Sequence, residues 1–111
     1  MWNLEQANLS EVPKLYANED IPLKETVVHL HFFISGCDWF ITEFDGKETM
    51  FGYAILGGDY TNAEWGYMNL EEMKAINVGG MEIDCDLHWK KRPAGQVDKI
   101  VKGCGWMMEI T

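Results

Sequence analysis

Apolar and polar residues alternate most clearly between Thr26 and Leu56, TVVHLHFFISGCDWFITEFDGKETMFGYAIL, and the pattern predicts three β-strands joined by tight turns. Side chains alternate across a strand, so over Thr26–Ile34 the residues Val28, Leu30, Phe32 and Ile34 share one face. That face is wholly apolar and is expected to meet the core. Val27, His29, His31 and Phe33 share the other face, which mixes two imidazoles with bulky apolar groups and is expected to be half covered. Ser35-Gly36-Cys37-Asp38 breaks the run, and Gly36 supplies the turn. Trp39–Phe44 forms a second strand. Asp45-Gly46 is a strong hairpin signal, here lengthened through Lys47-Glu48. Met50–Leu56 forms a third strand, in which Gly52 and Ala54 leave room for a large neighbour such as Phe32 or Phe40. Short connections make the three strands antiparallel neighbours.

The flanks are less regular. Residues 1–12 form an N-terminal extension with Trp2 and Leu4 as anchors, and Val12 to Tyr16 leads in as an extended segment around Pro13. Ala63–Met68 reads as a fourth strand with Trp65 and Tyr67 on one face. Asn69 is a helix N-cap, with Glu72 three residues on, and Leu70, Met73 and Ile76 make the apolar stripe of a short helix that Gly79-Gly80 stops. Met81–Asp86 alternates as a fifth strand. Pro93 opens a second helix whose buried stripe is Val97, Ile100 and Val101 and whose cap is Gly103. Residues 104–111 are an apolar C-terminal tail. The expected architecture is a single α+β domain over residues 13–103, an antiparallel sheet of about five strands with two short helices packed on one side.

Composition adds three things. At 111 residues and 47% apolar content the chain supports one core. No run reaches the length of a membrane span, and the N-terminus lacks the basic region and apolar core of a secretory signal. Three widely spaced cysteines, an odd number without a CxxC, point to reduced thiols and a cytoplasmic setting. Charge is the most informative property. Residues 1–89 hold 16 acids and 4 bases, a net −12, while residues 90–111 hold 2 acids and 5 bases, a net +3. An acidic body repels nucleic acid and favours basic partners.

Several segments in order resemble a known family: Pro13-Lys14-Leu15-Tyr16, Leu30-His31-Phe32-Phe33, Cys37-Asp38-Trp39, Gly52-Tyr53-Ala54-Ile55-Leu56, Asn62-Ala63-Glu64-Trp65-Gly66-Tyr67 and Asp84-Cys85-Asp86-Leu87-His88-Trp89. Over Pro13 to Ile100 the chain resembles the bacterial family known as domain of unknown function 2958. The resemblance implies a setting on plasmids, phages and integrative elements, often beside antirestriction genes. It brings no catalytic residues with it.

Four constellations could carry chemistry. Cys85 and His88 have a C-x-x-H spacing that His29, His31, Cys37 or Cys104 could extend to a zinc site, but no second close pair exists. Cys37 could be a nucleophile activated by His31; on the plainer and preferred reading, the histidines satisfy hydrogen bonds on a half-buried face. Glu43, Glu64, Asp84 and Asp86 offer carboxylate pairs, as many pairs would among 18 acids. Trp39, Trp65, Tyr67 and Trp89 offer aromatic interface anchors, against the plainer reading that tryptophans fill the core. The preferred binding surface therefore comprises Trp39, Glu43, Glu64, Trp65, Tyr67, Asp84, Asp86 and Trp89.

The resulting expectation is a small acidic, non-enzymatic interaction protein of a mobile genetic element. It would modulate a DNA-handling or defence protein in the manner of an antirestriction or anti-CRISPR DNA mimic. Its partner would be a basic nucleic-acid-binding protein, with no direct contact to nucleic acid or membrane and no cofactor. A homodimer through an edge strand or through Trp106–Ile110 is compatible with this. The alternative is a metal- or thiol-dependent enzyme, or a ligand-binding module, using the His29/His31/Cys37/His88 region.

Overall fold

The computed structural model of the chain describes residues 7–106. Trp2, Leu4 and most of the apolar tail lie outside the described residues. The core is a five-stranded sheet with every neighbouring pair antiparallel, in the order β5-β4-β3-β2-β8. Its strands are β2 (Leu30–Ile34), β3 (Cys37–Phe44), β4 (Thr49–Ile55), β5 (Glu64–Asn69) and β8 (Asp84–Cys85). Two short pairs flank it: β1 (Val27–Val28) with β9 (Arg92–Pro93), and β6 (Asn77–Val78) with β7 (Met81–Glu82). With the helices α1 (Leu70–Lys74) and α2 (Asp98–Cys104), the architecture is α+β. Among the described residues no helix is long and apolar enough to cross a membrane.

The β2–β3 hairpin is closed by Ser35 and Gly36 alone, both with positive φ (34° and 85°), the combination a two-residue turn needs to match strand twist. Strand β3 is then buried on both faces: every residue from Asp38 to Phe44 is buried. Trp39, Ile41 and Phe44 join Leu30, Phe32 and Ile34 in one apolar cluster. Phe40 joins Val28, Tyr53 and Ile55 in a second. Two apolar faces each need a cover, and the helices divide between them. Leu70 and Met73 of α1 enter the first cluster, and Ile100 of α2 enters the second, so the helices do not share one side as the sequence reading had them.

Other elements differ in detail from the sequence reading. The first strand breaks at His29, and Val28 turns away from the face of Leu30 into the second cluster, tied there by pairing with β9. The fifth strand is two pieces: Met81–Glu82 folds back on Asn77–Val78, and only Asp84–Cys85 reaches the sheet. Pro93 closes β9 and caps a single 3-10 turn, Ala94–Gln96, rather than opening α2 itself. Helix α2 starts at Asp98 and ends at Gly105, whose φ of 69° supplies the left-handed cap. Asn69 caps α1 as expected, its side chain accepting the Glu72 N–H at 3.0 Å. Residues 7–12 are tied to the fold, with Val12 buried in the first cluster and Ala7 and Leu9 against it.

The register of β3 against β4 shifts between Ile41 and Glu43. This β-bulge makes Thr42 the extra residue, and sets Glu43 opposite Phe51 on the face of Phe40 rather than that of Ile41. Gly52 lies where the strands close up, and a Cβ there would run into the Phe40 carbonyl. The glycine is required by backbone approach, not to make room for a ring. Gly52→Ala is therefore expected to destabilise the protein by about 3 kcal/mol in denaturant unfolding. Gly66→Ala, which meets open space, should stay within about 1 kcal/mol.

Candidate functional site

A strand buried on both faces has no place for uncompensated polar groups, and β3 carries three: Asp38, Thr42 and Glu43. Thr42 is satisfied locally, its hydroxyl donating to the Phe51 carbonyl at 3.1 Å. The two carboxylates are treated differently.

Asp38 is held in an ion network. Its Oδ1 is 2.7 Å from His31 Nε2, and its Oδ2 accepts from Lys99 Nζ of α2 at 2.9 Å. His31 Nδ1 faces Asp86 Oδ2 at 3.2 Å. Carboxylates accept and do not donate, so both histidine contacts are hydrogen bonds only when the ring carries two protons. The ring lies flat on Phe40, centroids 4.6 Å apart, with Trp89 beside it at 5.3 Å. Trp89 is itself committed: its Nε1 donates to the Val28 carbonyl, and the Arg92 guanidinium covers its ring at 3.9 Å. The network joins the β2–β3 hairpin to the residue after β8 and to α2. With both ring nitrogens engaged, His31 works as a clasp.

The thiol and metal candidates are dispersed. Cys37 and His31 both line a cavity of about 350 Å³ at the hairpin end with Asp38, Asp86 and Lys99, but the Cys37 sulfur takes the Gly57 N–H at 3.2 Å while His31 Nε2 faces Asp38, so the two are not paired as a dyad. Burial, with Asp86 and Asp84 nearby, pushes the Cys85 thiol up to about 11, which leaves it protonated and a poor ligand at neutral pH. His29 is held below its usual value by burial and by Lys91. His88 is exposed. Among the described residues no three His, Cys, Asp or Glu side chains form a metal-ligating group.

Glu43 has the other arrangement. It is 6% exposed, and its two oxygens accept the backbone N–H groups of Tyr16 (2.9 Å) and Asn18 (3.1 Å). Tyr16 reaches this position with a φ of 69°, and the Asn18 side chain donates to the Thr42 carbonyl. Among the described residues no Lys, Arg or His pairs with Glu43. Above it opens a cavity of about 270 Å³, walled by Phe51, Tyr16 and Tyr67 and edged by Ile21 and Leu23. Tyr16, Ile21, Leu23 and Tyr67 are all exposed large hydrophobic residues. Hydrogen bonding with Tyr16 raises the Tyr67 phenol above its usual value, and desolvation and the charge of Glu43 add to this.

The eight residues of the expected binding surface thus do not form one surface. Glu43 and Tyr67 meet in this cavity, with Trp65 next along the aromatic row, 6.2 Å from Phe51. Glu64 is exposed on β5. Asp84 lies opposite Phe33, and Asp86 and Trp89 belong to the His31 clasp. Trp39 is 7% exposed in the first cluster and is no anchor. Tyr16, Asn18, Phe51, Asp38 and Lys99 were not singled out by the sequence. Asp38 had a usable signal: a two-residue turn at Ser35-Gly36 makes it the diagonal neighbour of His31 on one face. Tyr16 falls in the Pro13–Tyr16 segment that carries the family resemblance, but nothing there links it to Glu43, and Asn18 had no signal, because both approach Glu43 from a loop 25 or more residues away.

The buried thiol and phenol set an alkaline limit on stability. The folded protein keeps Cys85 protonated up to about 11 and Tyr53 up to about 12, the latter through burial first and the Cys104 thiol second. Both values are raised, so their contribution is complete below the unfolded values of 9.0 and 10.0 and is lost as pH rises through the folded ones. Unfolding free energy should fall as pH climbs from about 9 to about 11, with a shallower slope in Cys85→Val. The native Cys85 thiol should resist alkylation at pH 8 that the unfolded chain undergoes. A flat profile, or rapid native labelling at Cys85, would contradict this.

Neither a curated protein nor a solved structure matches the chain. The profile of the family described as "Protein of unknown function (DUF2958)" matches residues 4–95, a span that contains the Glu43 cavity and all of the His31 clasp except Lys99. By that match over most of its length, the chain belongs to the DUF2958 family.

Proposed function

We propose that this protein is a small acidic, non-enzymatic docking protein that engages a basic protein partner through the face around Glu43. The observation that carries the reading is the buried Glu43 carboxylate, unpaired with any cation among the described residues, beneath a rim of exposed apolar and aromatic side chains. A buried charge without a counter-charge costs stability, and groups of this kind concentrate at functional sites. Apolar patches edged by polar groups are where partners dock, and tyrosines anchor such contacts.

The net −12 of residues 1–89 supports a partner that is itself basic, such as a nucleic-acid-handling or defence protein whose groove accepts carboxylates in place of phosphates. The mobile-element setting that the family resemblance implies would suit that choice of partner. A role as an antirestriction or anti-CRISPR modulator is the specific form of the proposal.

The test is capture from host lysate with the tagged full chain, read by mass spectrometry and repeated with the purified partner. A basic nucleic-acid-binding protein should be retained at about 0.1 M salt and lost at about 1 M, where charges are screened within about 3 Å. Tyr67→Ala, at a position 57% exposed, should weaken retention without unfolding the protein. Capture that ignores both salt and Tyr67→Ala would count against the docking face.

A further inference from the structure

We infer that the Glu43 cavity is a receptor for a single arginine side chain. This inference rests on the docking reading and specifies what the partner inserts. An ionised carboxylate has about four acceptor positions on its two oxygens. One on each oxygen is taken, by Tyr16 N–H on Oε1 and Asn18 N–H on Oε2. What remains is acceptor capacity on each oxygen, and a carboxylate with both oxygens open matches the parallel N–H pair of a guanidinium. The Thr42 hydroxyl, which donates to the Phe51 carbonyl, keeps its own lone pairs for a further N–H.

The walls fit the same group. Phe51 and Tyr67 stand edge to face with centroids 5.1 Å apart, and Tyr16 completes the aromatic lining. A planar, weakly hydrated guanidinium stacks on such rings while its fork binds the carboxylate. A lysine ammonium is a compact, strongly hydrated point charge with neither a flat face to lay on the rings nor a paired fork for the carboxylate, and entering a half-apolar cavity costs it more. The cavity's 270 Å³ lies just below the roughly 300–1,000 Å³ of pockets that enclose drug-sized ligands, the scale of one side chain.

The test is a titration of the isotope-labelled full chain with N-acetyl-arginine methylamide and, separately, with its lysine counterpart, followed by amide NMR. The arginine probe should give saturable shifts at Tyr16, Asn18, Phe51 and Tyr67. The lysine probe should bind about tenfold more weakly. Glu43→Gln should weaken the arginine probe by about tenfold or more. Should Glu43→Gln not fold, Tyr67→Ala, which removes an exposed wall, should still weaken it about threefold.

Three results would each overturn the inference. They are non-saturating shifts, equal binding of the two probes, and an arginine affinity unmoved by either variant. The probe assay contains no partner, so its failure beside salt-sensitive capture would remove the arginine pocket and leave the docking reading in place. Loss of capture beside a saturable arginine response would do the reverse.

Discussion

Strand β3 is buried on both faces, and this constraint organises the rest of the protein. A central strand of this kind must be apolar or must carry its polar groups with partners supplied from elsewhere. Trp39, Phe40, Ile41 and Phe44 meet the first demand and divide the interior into two clusters. Each cluster then needs its own cover, which is why α1 and α2 pack on different faces, and why residues 7–12 and 94–104 fold back onto the sheet. Asp38, Thr42 and Glu43 fall under the second demand, and their partners come from α2, from β4 and from the loop at 16–18.

The two carboxylates of β3 illustrate two outcomes of the same burial. Asp38 meets an imidazole and an ammonium, and its charge joins a hairpin, the end of an edge strand and a helix. The stacking of His31 on Phe40 fixes the ring plane, so the network has one geometry. Glu43 meets only backbone N–H groups, which hold the carboxylate in place and leave its charge unanswered. Local order at Glu43 comes from the bulge and from the left-handed Tyr16. Both are strained or irregular features, and such features gather where a side chain must be aimed. On the proposed docking reading, the acidic net charge would steer a basic partner toward the face that holds the Glu43 cavity.

Much of the fold is legible from local chemistry. The Ser35-Gly36 turn, the Asp45-Gly46 turn, the Asn69 cap and the shared face of Trp65 and Tyr67 follow from turn propensity, capping and alternation. What fails is decided at a distance. Val28 leaves its expected face because β9, more than sixty residues later, pairs with it. Met81–Asp86 alternates like one strand, yet Gly79-Gly80 folds its first half onto Asn77–Val78. The candidate site divides in the same way. Glu43 and Tyr67 stand out as a carboxylate and an aromatic on strands. Their meeting depends on a one-residue bulge at Thr42, which turns Glu43 to the other face and leaves no mark in the alternation. Lys99 is unremarkable in sequence and becomes a partner of Asp38 only through the packing of α2.

The central claim is that β3 holds one carboxylate for structure and the other for a ligand. Denaturant unfolding of Asp38→Asn and Glu43→Gln, in one buffer at neutral pH, tests it most directly. Asp38→Asn should cost about 2–4 kcal/mol, because it leaves the Lys99 ammonium without its buried counter-charge and the His31 ring without its carboxylate partner. Glu43→Gln should stay within about 1 kcal/mol, since losing one backbone acceptor is offset by removing an unpaired buried charge. A Glu43→Gln variant destabilised as much as Asp38→Asn would show that Glu43 anchors the fold, and would contradict the account.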